Sequence, residues 1–244
     1  MSVPLIEICV DTLEGAYAAA RGGADRLELC AALSEHGLTP SLGLVEQAVR
    51  TLSIPVHVMV RPRAGGFVYS PEELAAMEMD IEAFKRVGVQ GIVLGVLTPD
   101  NRVDVPRTRR LVELAAPLPV TFHRAFDDCA DLSQAMEDVI GCGAKMILTS
   151  GGATTLARGA GSVADLVRQA AGRIEIIASS GVTVETAMDL WQATKAPAMH
   201  ASLRRRVRTN IRPAETLGSE GRPGSAAAGP LEEDVRALID RFPR

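Results

Sequence analysis

One pattern constrains this chain more than any other: a short apolar β-like run followed by a helical segment, repeated eight times. The first run is Leu5–Val10, and Asp11-Thr12-Leu13-Glu14 then reads as a capping signal for an Ala-rich helix ending at Gly22-Gly23. Further strands are expected at 26–30, 55–60, 91–96, 120–127, 145–150, 174–180 and 197–203. Helices are expected at 41–51, from Ser70-Pro71 to Gly88, and at 106–115, 132–140, 163–170 and 184–193. Eight such units in 244 residues favour an α/β fold, a single (β/α)8 TIM barrel, over an open doubly wound sheet. The pattern stops at residue 204. Residues 204–230 are rich in Arg, Gly, Ala, Ser and Pro and read as loop or disorder, before an amphipathic C-terminal helix at 231–242.

Composition agrees with one domain of this kind. Hydrophobic residues are 47% of the chain but aromatics only 3%, so the core is built from Val, Ile, Leu and Ala, as a helix-covered parallel sheet requires. A net charge of −4 gives no whole-molecule attraction to nucleic acid or anionic lipid. No apolar run reaches transmembrane length and no signal peptide is read, so a cytoplasmic protein without nucleic-acid or membrane partners is expected. The four cysteines, 9, 30, 129 and 142, are too scattered for a disulfide framework.

Side-chain alternation then sorts each strand into a helix-facing and an interior face. If Ile6, Ile8 and Val10 face the helices, Glu7 and Cys9 point inward; the same parity turns in Glu28, Cys30, His57, Met59, Arg61, Thr121, His123 and His200. The stretch from Val120 to Asp127 is central, because it delivers His123, Arg124 and Asp127 where a strand ends, the position at which such barrels carry their chemistry. Buried charges of this kind must pair with one another or bind something. The bland outcome is a Glu–Arg–His network that merely fills the barrel; against it, barrel interiors are ordinarily packed with Val, Ile and Leu.

Other features narrow the chemistry. The three lysines avoid the C-terminal strand ends, which disfavours a Schiff-base aldolase. Two small-residue turns are candidate anion cradles: Ser150, Gly151 and Gly152 after the sixth strand, and Ser180 and Gly181 after the seventh. The arginines at 204, 205, 206 and 208 follow the eighth strand and read either as part of the same mouth or as a solvated basic tail.

Several segments resemble one known family. Leu5-Ile6-Glu7-Ile8-Cys9, Ala24-Asp25-Arg26-Leu27-Glu28-Leu29-Cys30-Ala31, Gly37-Leu38-Thr39-Pro40-Ser41, Arg61-Pro62-Arg63 with Phe67 and Tyr69, Thr121 to Asp127, and Leu148-Thr149-Ser150-Gly151 are similar to the CutC copper homeostasis proteins, in the same order. The resemblance implies a cytoplasmic barrel, a homodimer, copper handling, and Cu(I) bound through Cys9 and Cys30, soft thiolates that suit this ion. The chain departs from the family pattern at Ser179-Ser180, where relatives have a Gly-rich turn, at His36, where Gly is common, and at Ala198, where an acidic residue often precedes the His of the eighth strand.

Two functions stand. One is a copper homeostasis protein using Cys9 and Cys30. The other is an enzyme acting on a small anionic ligand, phosphorylated or sugar-like. There Glu7, Glu28 or Asp127 would serve as acid and base, His57 and His123 as proton carriers, and Arg61 and Arg124 as clamps. A scaffold protein, the third class, finds support only in the tail.

Overall fold

The computed structural model describes residues 3–208 and 225–242. Eight parallel strands close into a barrel: β1 (Leu5–Val10), β2 (Arg26–Leu29), β3 (Val56–Met59), β4 (Gly91–Leu94), β5 (Val120–Phe122), β6 (Met146–Thr149), β7 (Glu175–Ala178) and β8 (Ala198–Ala201). Closure comes from β1, which pairs with β2 through Cys9 opposite Glu28 and with β8 through Glu7 opposite His200. Each strand is followed by its helix: α1 (Leu13–Gly22), α2 (Leu42–Thr51), α3 (Pro71–Val87), α4 (Val105–Ala115), α5 (Leu132–Gly141), α6 (Leu156–Ala170), α7 (Ala187–Thr194) and α8 (Glu232–Ile239).

Local chemistry sets these boundaries. Thr12 caps α1 by accepting from the Gly15 N–H, and Gly23 ends it at φ +95°. At α3, Ser70 and Glu73 form a reciprocal capping box with Pro71 at the first position. The helix-facing side of the strands, with Ile6, Ile8, Leu27, Leu29, Val56, Val58, Ile92 and Phe122, forms the main core against the helices. Across the barrel axis lie two smaller apolar clusters, Cys9, Cys30, Met59 and Val93 in one and Met146, Leu148, Ile177 and Ala198 in the other.

The architecture agrees with the expectation, and three details differ. Helix α6 begins at Leu156, seven residues before the expected 163, because Gly159 lets the helix lie against the Ser150 carbonyl: a Cβ there would sit 1.8 Å from that oxygen. Helix α7 starts at Ala187, since Thr183 and Thr186 bond to one another in a turn ahead of it. The stretch 204–230 is not simply loop or disorder, for two parts of it pair as an antiparallel ribbon, β9 (Arg205–Arg208) with β10 (Ser225–Ala228). Paired backbone groups stabilise that ribbon without the apolar periodicity that sequence patterns detect. Residues 209–224, between the two strands, lie outside the described residues.

Candidate functional site

The barrel floor is an ion-pair network. Glu7 on β1 accepts from Arg26 Nε at 2.5 Å and lies 2.7 Å from His200 Nδ1, while Arg26 also reaches Glu175 at 3.2 Å. Burial would raise the Glu7 carboxyl, but the hydrogen bond from His200 and the Arg26 charge outweigh it and hold the group at about 2. His200 moves upward: burial opposes its charge, and the Glu28 and Glu7 carboxylates overcome that. The acidic partner missing at Ala198 is therefore supplied from β1, where Glu7 orients His200. His57 lies beneath the cavity with its imidazole pushed down to about 4, chiefly by burial.

Above this floor are the two expected thiols. Cys9 Sγ donates to Glu28 Oε1 at 3.1 Å and lies 3.7 Å from Cys30 Sγ, with no disulfide between them. The hydrogen bond with Cys30, burial and the Glu28 charge push the Cys9 thiol well upward. Ligand atoms of Cys9, Glu28 and His200 all lie within 4.8 Å of one another, so three donors of a metal-binding type converge here. Cys30 is fully buried, covered by Gly37, where a Cβ would lie 3.5 Å from Sγ. Cys129 and Cys142 lie elsewhere, each bonded to a backbone carbonyl.

The mouth holds a cavity of about 650 Å³, lined by Cys9, Glu28 and His200 at one end and by Phe67, His123, Arg124 and Ser179 to Thr183 around the wall. Ligand pockets are typically about 300–1,000 Å³. His36 also lines it, at φ +65°, which explains the glycine common there in relatives; Ser180, at φ +80°, does the same in the β7 turn.

Among the described residues, four that line the cavity keep a buried polar atom without a partner in the chain: Glu28 Oε2, Arg61 Nε, His123 Nε2 and Ser179 Oγ. Leaving such groups unpaired costs roughly 1–3 kcal/mol each, which marks them as candidates for ligand contact.

The remaining expected residues have other partners. Arg61 Nη1 and Nη2 donate to the Glu35, Gly37 and Gly65 carbonyls, tying together the loops after β2 and β3, while Nε has no partner in the chain. Burial and then the Arg61 charge push the His123 imidazole down to about 3, favouring the uncharged ring. Asp127 fills the turn after β6 with its own carboxylate. It accepts from the Ser150 and Gly152 N–H groups at 3.0 Å, from both hydroxyls of Thr149 and Ser150, and from Arg124 Nε. The Gly151 N–H goes to Thr149 Oγ1. The cradle at Ser150, Gly151 and Gly152 thus already holds an anion, and it belongs to the chain. Arg124, which also bonds Ser150 Oγ, keeps one side toward the cavity.

Sequence reasoning passed over Arg26, although its parity with Glu28 places it inside, because it stands at the start of its strand. It also put His200 inside without giving it a role.

Comparison with known proteins bears on the family and the fold. The chain is 45% identical over 199 residues to the family protein CutC of Vibrio atlanticus, covering 81% of each chain. It is 42% identical over 225 residues to that of Vibrio cholerae, covering 91% of this chain and 87% of the relative. A crystal structure from Streptococcus agalactiae, described as a proposed copper homeostasis protein CutC, superposes with a TM-score of 0.77 at 32% identity, covering 81% of this chain and 97% of the other. Residues 4–205 match the CutC family as a whole. From the first strand to just past the eighth, the chain is a member of the CutC family.

Proposed function

We propose that this protein takes part in copper homeostasis by holding Cu(I) at the bottom of the barrel mouth, with Cys9 and Cys30 as sulfur ligands and His200 beside them. The observation that carries this is the approach of Cys9 Sγ to Cys30 Sγ at 3.7 Å, with Cys9 also belonging to the Cys9–Glu28–His200 group. Two sulfurs and an imidazole suit a soft ion, and the copper function stated for the Streptococcus agalactiae relative points the same way. Because the Cys9 thiol is raised, loading must release its proton, and affinity rises with pH. Unbridged thiols this close also fit the reducing cytoplasm. The test is anaerobic Cu(I) titration. Cys9→Ser should weaken binding by more than the ~10–100-fold that removal of an outer partner costs; unchanged affinity removes the thiols from the account. The homodimer implied by the resemblance belongs to the same proposal and is checked by light scattering.

The cavity favours a second reading, since about 650 Å³ far exceeds what one ion needs. In it the barrel is an enzyme on a small ligand, anionic or sugar-like. Glu28 and His200 perform acid–base chemistry over the Glu7 floor, and Arg124, Ser180 and Gly181 face the ligand's charged end. Glu28→Gln should then abolish turnover while leaving the fold intact.

A further inference from the structure

Resting on the second reading, we infer that His123 is a fixed, uncharged donor to an acceptor oxygen of a small polyhydroxylated ligand in the barrel mouth. The tautomer follows from geometry. The Ala125 backbone N–H donates to His123 Nδ1 at 3.1 Å, so that nitrogen carries no proton and the ring hydrogen resides on Nε2. The Nδ1–Cε1 edge lies against Gly95, where a Cβ would sit 2.5 Å from both atoms, and Phe67 packs against the ring at a tilt of 53°, centroids 4.9 Å apart. The ring cannot flip or retreat, and Nε2 is left without a partner in the chain although His123 lines the cavity.

Burial, and after it the Arg61 charge, disfavours the protonated imidazole. A neutral imidazole so held is a donor only, and it polarises an oxygen without transferring a proton to it. Three further unpartnered atoms belong to residues lining the same cavity. Glu28 Oε2, from β2, accepts; Arg61 Nε, after β3, donates; Ser179 Oγ, just past β7, both donates and accepts. Two donors, an acceptor and a hydroxyl around one cavity complement a molecule with several adjacent oxygens, at least one of them a hydroxyl. A bare inorganic anion does not satisfy Glu28 Oε2, and the donors of the β6 turn are already engaged by Asp127.

Long-range proton–nitrogen NMR of the full chain labelled at its four histidines tests this directly. His123 should show an uncharged ring protonated on Nε2 at pH 5.5 and at pH 7.5. A proton on Nδ1, or a titration between those values, overturns the inference. Dihydroxyacetone and glycerol are then added separately, with inorganic phosphate as the contrasting probe. Dihydroxyacetone or glycerol should move the Nε2 signal, and His123→Phe should weaken that binding at least ~10-fold, the value of one lost hydrogen bond. Tighter dihydroxyacetone binding assigns a carbonyl oxygen to His123; equal binding assigns a hydroxyl. His123→Gln keeps an amide donor and should restore part of the loss, which separates donation from folding. Phosphate moving the Nε2 signal, or binding unaltered in His123→Phe, overturns the inference and leaves the second reading standing. Wild type that binds neither dihydroxyacetone nor glycerol overturns the inference, and the second reading then falls separately if Glu28→Gln alters no activity found.

Discussion

Replacing Glu7 by Gln keeps the side-chain shape and removes the charge on which the barrel floor depends. Glu7 is 1% exposed and bridges Arg26 and His200 at 2.5 and 2.7 Å. Its carboxyl is held at about 2 against an ordinary 4.5, a difference of roughly 2.5 units. At about 1.4 kcal/mol per unit, the folded state favours the charged form by roughly 3 kcal/mol near neutral pH. The general cost of breaking a buried ion pair, about 3–5 kcal/mol, lies in the same range. Urea unfolding at pH 7 should therefore show Glu7→Gln about 3 kcal/mol less stable than wild type. The sign fixes the pH dependence as well. A depressed carboxyl contributes fully above its unfolded value and loses that contribution as pH falls through the folded one, so the two proteins should converge from about pH 4.5 toward about pH 2. A variant within 1 kcal/mol of wild type at pH 7 would refute the idea that this network holds the floor together.

Other consequences are as open to measurement. Gly95→Ala drives a methyl into the His123 ring, whose nearest atoms lie 2.5 Å from the new carbon, and should cost about 1–3 kcal/mol in chemical denaturation. Asp127→Asn turns an amide toward the Ser150 and Gly152 N–H groups and weakens the Arg124 pair; a loss of about 2–3 kcal/mol is expected by thermal unfolding. His57, lowered to about 4, contributes stability above its unfolded value of 6.5 and loses it as pH falls toward 4. The urea midpoint should thus drop between pH 7 and pH 5, and drop less in His57→Gln.

The barrel was legible because eight apolar runs and their caps repeat with little interruption, and because strand parity is a rigid rule. Parity alone put Glu7, Cys9, Glu28, His57, His123 and His200 in one interior; the register of β1 sets Cys9 opposite Glu28 and Glu7 opposite His200. What parity cannot give is a partner. Arg61 bonds carbonyls 24 and 26 residues away, and Asp127 reaches a turn 23 residues on, through a 3-10 turn that breaks the strand rule just where it was needed. A guanidinium or carboxylate near a mouth reads as available until the loops around it are placed. The ribbon of β9 and β10 was hidden for a different reason: backbone pairing leaves no mark in the alternation of apolar residues.

Glycine bounds the inner face of β4, Gly91 at its start against the His57 ring and Gly95 just past its end against that of His123. Between them Val93 projects inward and packs with Cys9, Cys30 and Met59. The two glycines thus leave the His57 and His123 rings room that a side chain would take, and the cavity that His123 lines also carries Cys9, Glu28, Ser179 and His200. One part of this vessel offers an imidazole, another the thiol and carboxyl groups. Any guest, ion or molecule, is therefore presented with a polarity of orientation before it has made a single bond.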